Sequence, residues 1–538
     1  MTTPTDTGWW RGAAIYEIYP RSFQDSNGDG IGDLAGITRR LGYVADLGVD
    51  AIWIAPFFAS PMRDFGYDVS DYRSVDPIFG TVSDFESLVA EAHRLGLKVL
   101  IDQILSHSSD RHPWFVESRS SRTNPRADWF VWADPRPDGT PPNNWHSVFG
   151  GPAWTWNSRR RQYYFHNFLC EQPDLNLHNA EVQDELLATM SFWIERGADG
   201  FRLDAVNHYF HDLQLRDNPP APGTAGRPPP LSPYGMQTHI FDKNQPEVLA
   251  FLARIRALAD RYPGIALLGE IGEEARAVEL MRDYTAGHER LHMAYSFDLL
   301  GPDFSAGFLR SRIERFGTGV ETGWPCWAFS NHDVIRQRTR LAGGQDGEQI
   351  AKLVAAVLLS LRGTVCLYQG EELGLPEADI GFDDLVDPYG KALWPEFKGR
   401  DGCRTPMPWE HRLTTAGFST ARPWLPMPQE HIRLATDRQE ALSDSVLSRY
   451  RRLLDLRRAE PALRLGDLEP LDSPADVLAF TRSHSGRRIV CAFNLGPEPR
   501  VLALPAGKWA DLMSPAATGL TGALTLPPFA AFWGGSQP

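Results

Sequence analysis

Strand-length apolar runs and helix-length amphipathic runs alternate eight times along this chain. The strand-like runs are 13–19, 49–55, 98–104, 200–206, 266–271, 292–299, 326–330 and 364–368. Helical runs such as 34–47, 83–95, 182–196, 247–262 and 349–361 lie between them. Parallel strands need a long crossover, and a helix is the usual one. The repeat therefore predicts an α/β protein whose eight parallel strands close into a (β/α)8 barrel. An open doubly wound sheet is the alternative.

Three stretches break the repeat. Residues 105–172 follow the third strand and are rich in Trp, Pro and Asn, which predicts an inserted subdomain. Residues 375–441 are rich in Pro and Gly and predict loops and short helices after the eighth strand. A helical run at 446–458 closes the barrel, which then comprises 1–104 and 173–460. From 461 to 538, short alternating runs (477–482, 489–493 and 500–504) predict a C-terminal all-β sandwich. A length of 538 residues exceeds what one core supports, in keeping with this division.

The net charge is −14 and no basic block offsets it, which argues against nucleic acid and anionic membrane as partners. The longest apolar run, 351–368, carries Lys352 and Arg362 and is too interrupted to span a bilayer. Five Cys scattered without a CxxC fit reduced thiols, and the N-terminus lacks the basic-then-apolar order of a signal peptide. A cytoplasmic protein is expected. Seventeen Trp suit stacking on sugar rings, but indole is also ordinary core material.

Chemistry in such a barrel is expected at the C-terminal strand ends. The fourth strand carries Arg202 and Asp204, whose spacing points both to one side. The cation favours the ionised carboxylate that a nucleophile needs. Glu270 ends an apolar run, where desolvation raises a carboxyl's pKa and suits it to give up a proton. Asn331, His332 and Asp333 end the seventh strand, and Asp102 to His107 the third. Any one of these reads as easily as a structural ion pair. Together they need a reason, because burying several unpaired charges is expensive.

Between the first strand and the first helix, residues 25–34 read DSNGDGIGDL. The oxygen side chains and the central glycine match the opening of an EF-hand. The match then fails, because the bidentate Glu is replaced by Gly36 and a strand precedes the loop. The stretch reads as a hard-cation loop of another kind, or as a metal-free turn rich in Asx residues.

Residues 102–107, 200–204, Glu270 and 331–333 resemble the signature regions of glycoside hydrolase family 13, the α-amylase family. Residues 172–176 resemble a fifth region in the form seen in oligo-1,6-glucosidases and bacterial α-glucosidases. The likeness runs from about Trp9 to the C-terminus. It implies a retaining, exo-acting α-glucosidase acting on short α-glucosides, with transfer of glucose to alcohol, phenol or sugar acceptors. Asp204 would be the nucleophile, Glu270 the acid/base and Asp333 the transition-state stabiliser. His107, His332 and Arg202 would grip the terminal glucose. Asp64 and Tyr67, with Arg400, would close the pocket behind it. By the same resemblance Ala205 implies a preference for α-1,4 bonds. One structural Ca²⁺ or Mg²⁺ would be held by Asp25, Asn27, Asp29, the Ile31 carbonyl and Asp33, with no organic cofactor. The family's usual Asn before the first-region His is Ser106 here, which weakens any metal at that spot. The aromatic run from Trp145 to Trp156 is expected to offer a wall for apolar acceptors. A dedicated glucosyltransferase, a disaccharide isomerase or a non-catalytic relative are the alternatives.

Overall fold

Local signals seat each helix on the sheet. Asp33 caps the helix Leu34–Leu47 by accepting the Gly36 N–H, and Gly48 ends it in the left-handed region at φ 99°. Leu34, Ile37, Leu41, Val44 and Leu47 recur at helical spacing and are all buried. Burying a side chain of this size contributes about 1.5–3 kcal/mol. The helix Val82–Arg94 begins with a capping box between Thr81 and Asp84. The structure, a computed structural model, describes residues 8–223, 230–273, 276–317, 323–514 and 517–537. Residues 1–7, on which the reading of the N-terminus partly rests, lie outside the described residues.

Eight parallel strands make one sheet: Ala14–Ile18, Ala51–Ile54, Lys98–Gln103, Gly200–Leu203, Ala266–Ile271, Met293–Ser296, Cys326–Ala328 and Thr364–Tyr368. Their spatial order is sixth, fifth, fourth, third, second, first, eighth, seventh, so successive strands are neighbours. The sixth and seventh strands meet at a parallel bridge between Ala294 and Pro325, which closes the barrel and removes the open sheet from consideration. Alternation along the strands sorts the side chains. Ile15, Trp53, Leu100, Leu268, Met293, Tyr295 and Cys366 pack together inside the barrel. Tyr16, Ile18, Ile52, Ile54, Val99 and Ile101 join the core under the helices.

Two strands stop three residues short of their apolar runs. The sixth stops at Ser296 and turns into a 3-10 helix, Phe297–Leu300. The fourth stops at Leu203 because Ala205 adopts φ 43°, which takes the chain out of the sheet. A further irregular excursion, 205–247, lies between the fourth strand and the helix Val248–Ala259; the periodicity did not separate it.

Within 105–172, Trp132–Ala133, Trp154–Asn157 and Gln162–Phe165 form a small antiparallel sheet. The C-terminal strands begin at Asp467, after a short helix Pro461–Leu465. They form a five-stranded antiparallel sheet with a two-stranded one, Arg500–Ala503 and Ala523–Leu526, sharing its core. Among the described residues no helix is long and apolar enough to cross a membrane. All five cysteines are free, and only Cys170 is exposed.

The fourth and fifth strands approach closely at Gly200, where an added Cβ would lie 2.3 Å from the Ala266 carbonyl oxygen. Gly200→Ala must therefore push these two strands apart. The expected cost is about 1–3 kcal/mol, read as a lower midpoint in urea unfolding. An unchanged midpoint would mean that the strand spacing is not fixed at this glycine.

Candidate active site

Strand register brings the acids to one guanidinium. Arg202 pairs in register with Asp102 on the third strand and Leu268 on the fifth. Its fully buried side chain contacts Asp102 at 2.7 Å and Asp204 at 2.8 Å through Nη1, and Glu270 at 2.5 Å through Nη2. It also donates to the Tyr295 hydroxyl and lies 4.8 Å from the centre of the Trp53 ring. Glu270 is tied to the turn that follows Asp204, since its Oε2 accepts the Ala205 N–H at 2.9 Å. That bond uses the left-handed backbone of Ala205, a conformation that costs a residue with a Cβ about 1–2 kcal/mol.

One cation cannot hold three buried carboxyls ionised. Burial pushes Glu270 up to about 7, against the pull of Arg202 and with help from Asp204 and Asp333. Burial raises Asp204 as well, again against Arg202. Arg202 does favour the ionised form of Asp204, as expected, but burial outweighs that pull. Asp333 behaves in the opposite way. Burial alone would raise it, but His332, Arg400 and Arg404 hold it well below the usual carboxylate range. Its Oδ1 receives Arg400 at 3.2 Å and Arg404 at 2.8 Å.

The remaining residues singled out in the sequence gather around this centre. Arg400 binds Asp64 at 2.7 Å and Asp387 at 2.8 Å, in addition to Asp333. The Tyr67 ring stacks on His332 with centroids 5.4 Å apart, and its hydroxyl lies 2.6 Å from His332 Nε2. His107 is buried, with Nδ1 against Ser106 Oγ at 2.8 Å and Nε2 against the Tyr67 carbonyl at 3.0 Å.

Several members were not singled out in the sequence. Glu17, inside the first strand, reaches His332 Nδ1 at 2.5 Å. Asp387 accepts the Arg400 N–H as well as its side chain, and Arg404 stands four residues after Arg400, inside the stretch 399–407 that carries both arginines. Gln172 donates to Asp64 at 3.2 Å; its place at the head of the 172–176 stretch was the available signal. Of the aromatic run at 145–156, the tryptophans do not reach the site. Trp145 and Trp154 are buried in the core of the small sheet, where Nε1 of Trp145 donates to the Arg216 carbonyl and that of Trp154 to Asn143. Only Trp156 is exposed. From the same run it is Phe149 that reaches the site, stacked on Tyr389 and lying 5.1 Å from the Arg400 guanidinium.

The acidic loop is a chain of Asx turns. Asp25 accepts the amides of Asn27, Gly28 and Gly30, Asn27 accepts that of Asp29, and Asp29 that of Ile31. Asp33 spends one oxygen on the helix cap and the other on the Ser26 N–H. The EF-hand's last ligand has no place here, because a Cβ on Gly36 would lie 1.9 Å from the Gln24 carbonyl oxygen. Among the described residues no three His, Cys, Asp or Glu side chains converge as a metal cage. The donor set is nevertheless all oxygen, and with the Asn27 amide and the Ile31 carbonyl it fits a hard cation.

A strand-end triad of carboxyls around a buried arginine, at the rim of a (β/α)8 barrel, defines a glycosidase-like site. The comparison with known proteins names the family. Residues 17–466 match the α-amylase catalytic domain and 469–533 the C-terminal domain of maltogenic amylase. The chain belongs to the α-amylase family, glycoside hydrolase family 13, a family of enzymes. It is 58% identical to a "probable alpha-glucosidase" of Rhizobium meliloti, over 93% of this chain and 92% of that protein. It is 35% identical to an oligo-1,6-glucosidase of Heyndrickxia coagulans, over 94% and 96% of the two chains. Among solved structures, an α-glucosyl transfer enzyme, XgtA, superposes with a TM-score of 0.93 at 54% identity, covering 98% of this chain and 99% of that one. The trehalulose synthase MutB of Pseudomonas mesoacidophila gives 0.87 at 33% identity, covering 98% and 99%.

Asp387 makes a direct stability prediction. Burial would raise it, but Arg400 and Arg404 bring it down to about 2. A carboxyl held this low stabilises the fold above its unfolded pKa of about 3.9 and loses that contribution as pH falls through its folded value. Asp387→Asn should destabilise the fold at neutral pH, by less than the about 3–5 kcal/mol of a fully stranded buried charge, because Arg400 keeps Asp64 and Asp333. The gap between the two proteins in urea midpoint should narrow as pH drops below the unfolded value. A gap that does not vary with pH would show that the Asp387 charge is not what holds Arg400.

Proposed function

We propose that this chain is a retaining, exo-acting α-glucosidase that releases glucose from the non-reducing end of short α-glucosides and passes it to water or to alcohol, phenol or sugar acceptors. One observation carries the reading: opposite amino groups of the buried Arg202 hold Asp204 and Glu270 on neighbouring strand ends. This close pairing suits the carboxyl separation of about 5–5.5 Å used by retaining enzymes.

Asp204 attacks the anomeric carbon while Glu270 passes its proton to the departing oxygen, leaving a β-glucosyl ester on Asp204. Glu270, now a carboxylate, takes the proton of water or an alcohol, whose oxygen attacks the same carbon and frees Asp204. Asp333, kept ionised by its two arginines, receives the sugar hydroxyls and supports the positive charge that builds at the ring. His107, His332 and Arg202 hold the same glucose, and Tyr67 stacks against it. The Asp64–Arg400 bridge closes the pocket beyond one sugar, which supports exo action.

A dedicated glucosyltransferase is the second reading, favoured by the 54% identity to an α-glucosyl transfer enzyme. The two readings share the glucosyl-enzyme and differ only in the acceptor. We also propose one structural Ca²⁺ or Mg²⁺ at Asp25, Asn27, Asp29, the Ile31 carbonyl and Asp33. It would clamp the loop between first strand and first helix and takes no part in the chemistry.

The central test is trapping. Glu270→Gln should react once with an α-glucosyl donor bearing a good leaving group, and the adduct should map to Asp204; an adduct on Asp333 would falsify the assignment. In the wild type the first step needs the Glu270 proton, so kcat/KM on maltose should fall as pH rises through about 7. Product analysis from maltose, with and without a phenol, measures how far water or the alcohol captures the intermediate.

Ala205 tests linkage preference. A branched side chain there should crowd an α-1,4-linked second sugar more than a 1,6-linked one. Ala205→Val should shift the kcat/KM ratio of maltose to isomaltose toward isomaltose by roughly 10–200-fold. The left-handed backbone at this position adds a stability cost to the same variant. A ratio that stays put removes Ala205 from specificity.

The cation makes its own prediction. Chelation should lower the thermal midpoint, which added Ca²⁺ or Mg²⁺ restores, while activity at low temperature persists. A midpoint indifferent to both ions leaves the loop a metal-free turn.

A further inference from the structure

Inside the barrel a carboxyl outside the catalytic set faces the sugar site through one histidine. Glu17 lies on the first strand, two residues after Ile15 and on the same inner side, and is fully buried. Its Oε1 is 2.5 Å from Nδ1 of His332, which is also fully buried. Its Oε2 meets no hydrogen-bond partner among the described residues.

The protons around His332 can be counted. The Asp102 carboxylate is ion-paired with Arg202 at 2.7 Å and also accepts the Tyr67 hydroxyl at 3.1 Å. That uses the one proton of Tyr67. The tyrosine oxygen, 2.6 Å from His332 Nε2, must then accept, so Nε2 carries a hydrogen. Asp333, 3.3 Å from the same nitrogen, makes the same demand. A neutral ring with hydrogen on Nε2 has a lone pair on Nδ1. A carboxylate there would set lone pair against lone pair, so one proton must sit between Glu17 and Nδ1. The unpartnered Oε2 decides where it sits. A buried carboxylate with a bare oxygen costs more than a carboxylic acid whose free atom is a carbonyl.

We propose that Glu17 is a positioning residue in its acid form, donating a hydrogen bond to His332 Nδ1 and thereby fixing His332 as the tautomer whose Nε2–H points at the glucose site. The titration tendencies agree. Burial raises Glu17 well above the ordinary range, against Arg202 and with Asp333, Asp102 and Glu270 adding, and burial lowers His332 to about 3. The inference rests on the proposed sugar-binding role of His332, but its decisive measurement needs no substrate.

The test uses the full chain with ¹⁵N-labelled histidine, His332 being assigned from the signal lost in His332→Asn. The free enzyme should show His332 neutral, with hydrogen on Nε2, and Glu17→Gln should show the same, since an amide N–H can donate to Nδ1 in place of the acid. Glu17→Leu should release the tautomer and lower kcat/KM on maltose by about 100-fold, as expected for a misplaced contact group. The Gln variant should recover most of that loss. An imidazolium, or hydrogen on Nδ1 in the wild type, overturns the inference. So does a folded Leu variant of full activity, or equal losses in the Gln and Leu variants. If the Leu variant does not fold, the tautomers of the wild type and the Gln variant decide alone. A wild type that fails to cleave α-glucosides would sink the functional reading and leave the tautomer result standing.

Discussion

The site depends on one buried cation. Arg202 has no exposure to water and is surrounded by Asp102, Asp204, Glu270 and the Tyr295 hydroxyl, with the Trp53 ring nearby. Three buried carboxyls on adjacent strands would repel one another without it, and breaking a buried pair costs about 3–5 kcal/mol. Parallel pairing of neighbouring strands is what lets one side chain meet all three. The parallel register sets strands three, four and five side by side and brings their C-terminal ends to the same level. Architecture and chemistry therefore cannot be varied separately at this position.

The charges fall into two poles, and the poles match the proposed roles. Around Arg202 acids outnumber the cation, so burial wins and Glu270 is raised into the range where it can carry a proton. Around Asp333 two guanidiniums face the carboxyl, so attraction wins and it stays ionised. Environment alone thus separates residues of nearly the same intrinsic acidity, which is the pattern required of an acid and an electrostatic stabiliser sharing one site. His332 stands between the poles, touching Asp333 on one side and Glu17 on the other.

The strands were legible because buried parallel strands read as short apolar runs, and the helices because their buried faces repeat at helical spacing. The pairing of Arg202 with Asp204 was legible from their spacing of two on a strand. Its division with Asp102 and Glu270 was not, since register between strands has no local sequence signal. Glu17 was hidden because one acid within an apolar strand looks like an interruption until closure shows what it faces. The left-handed turn at Ala205 was equally hidden, because an alanine gives no sign of positive φ. The Trp145 run misled for a physical reason: an indole buries well and finds a carbonyl for its N–H, so a small inserted sheet can use it as core.

The barrel supplies the carboxyls, and the excursions supply the pocket. Asp64 comes from the loop after the second strand, Gln172 from the end of the inserted segment, and Arg400 and Asp387 from the stretch after the eighth strand. These three excursions meet at a single guanidinium, which also touches Asp333. Whatever sets the depth of the pocket is therefore one contact from the carboxyl that must stay ionised, so a loop change that moved Arg400 would alter specificity and rate together. The inserted segment also meets the 205–247 excursion, through an ion pair between Arg136 and Asp217 and hydrogen bonds from Trp145 to the Arg216 carbonyl and between Asn144 and Asn218. On the proposed mechanism both half-reactions use the same two carboxyls, so the choice between water and an alcohol has to be made by residues outside that charged pair.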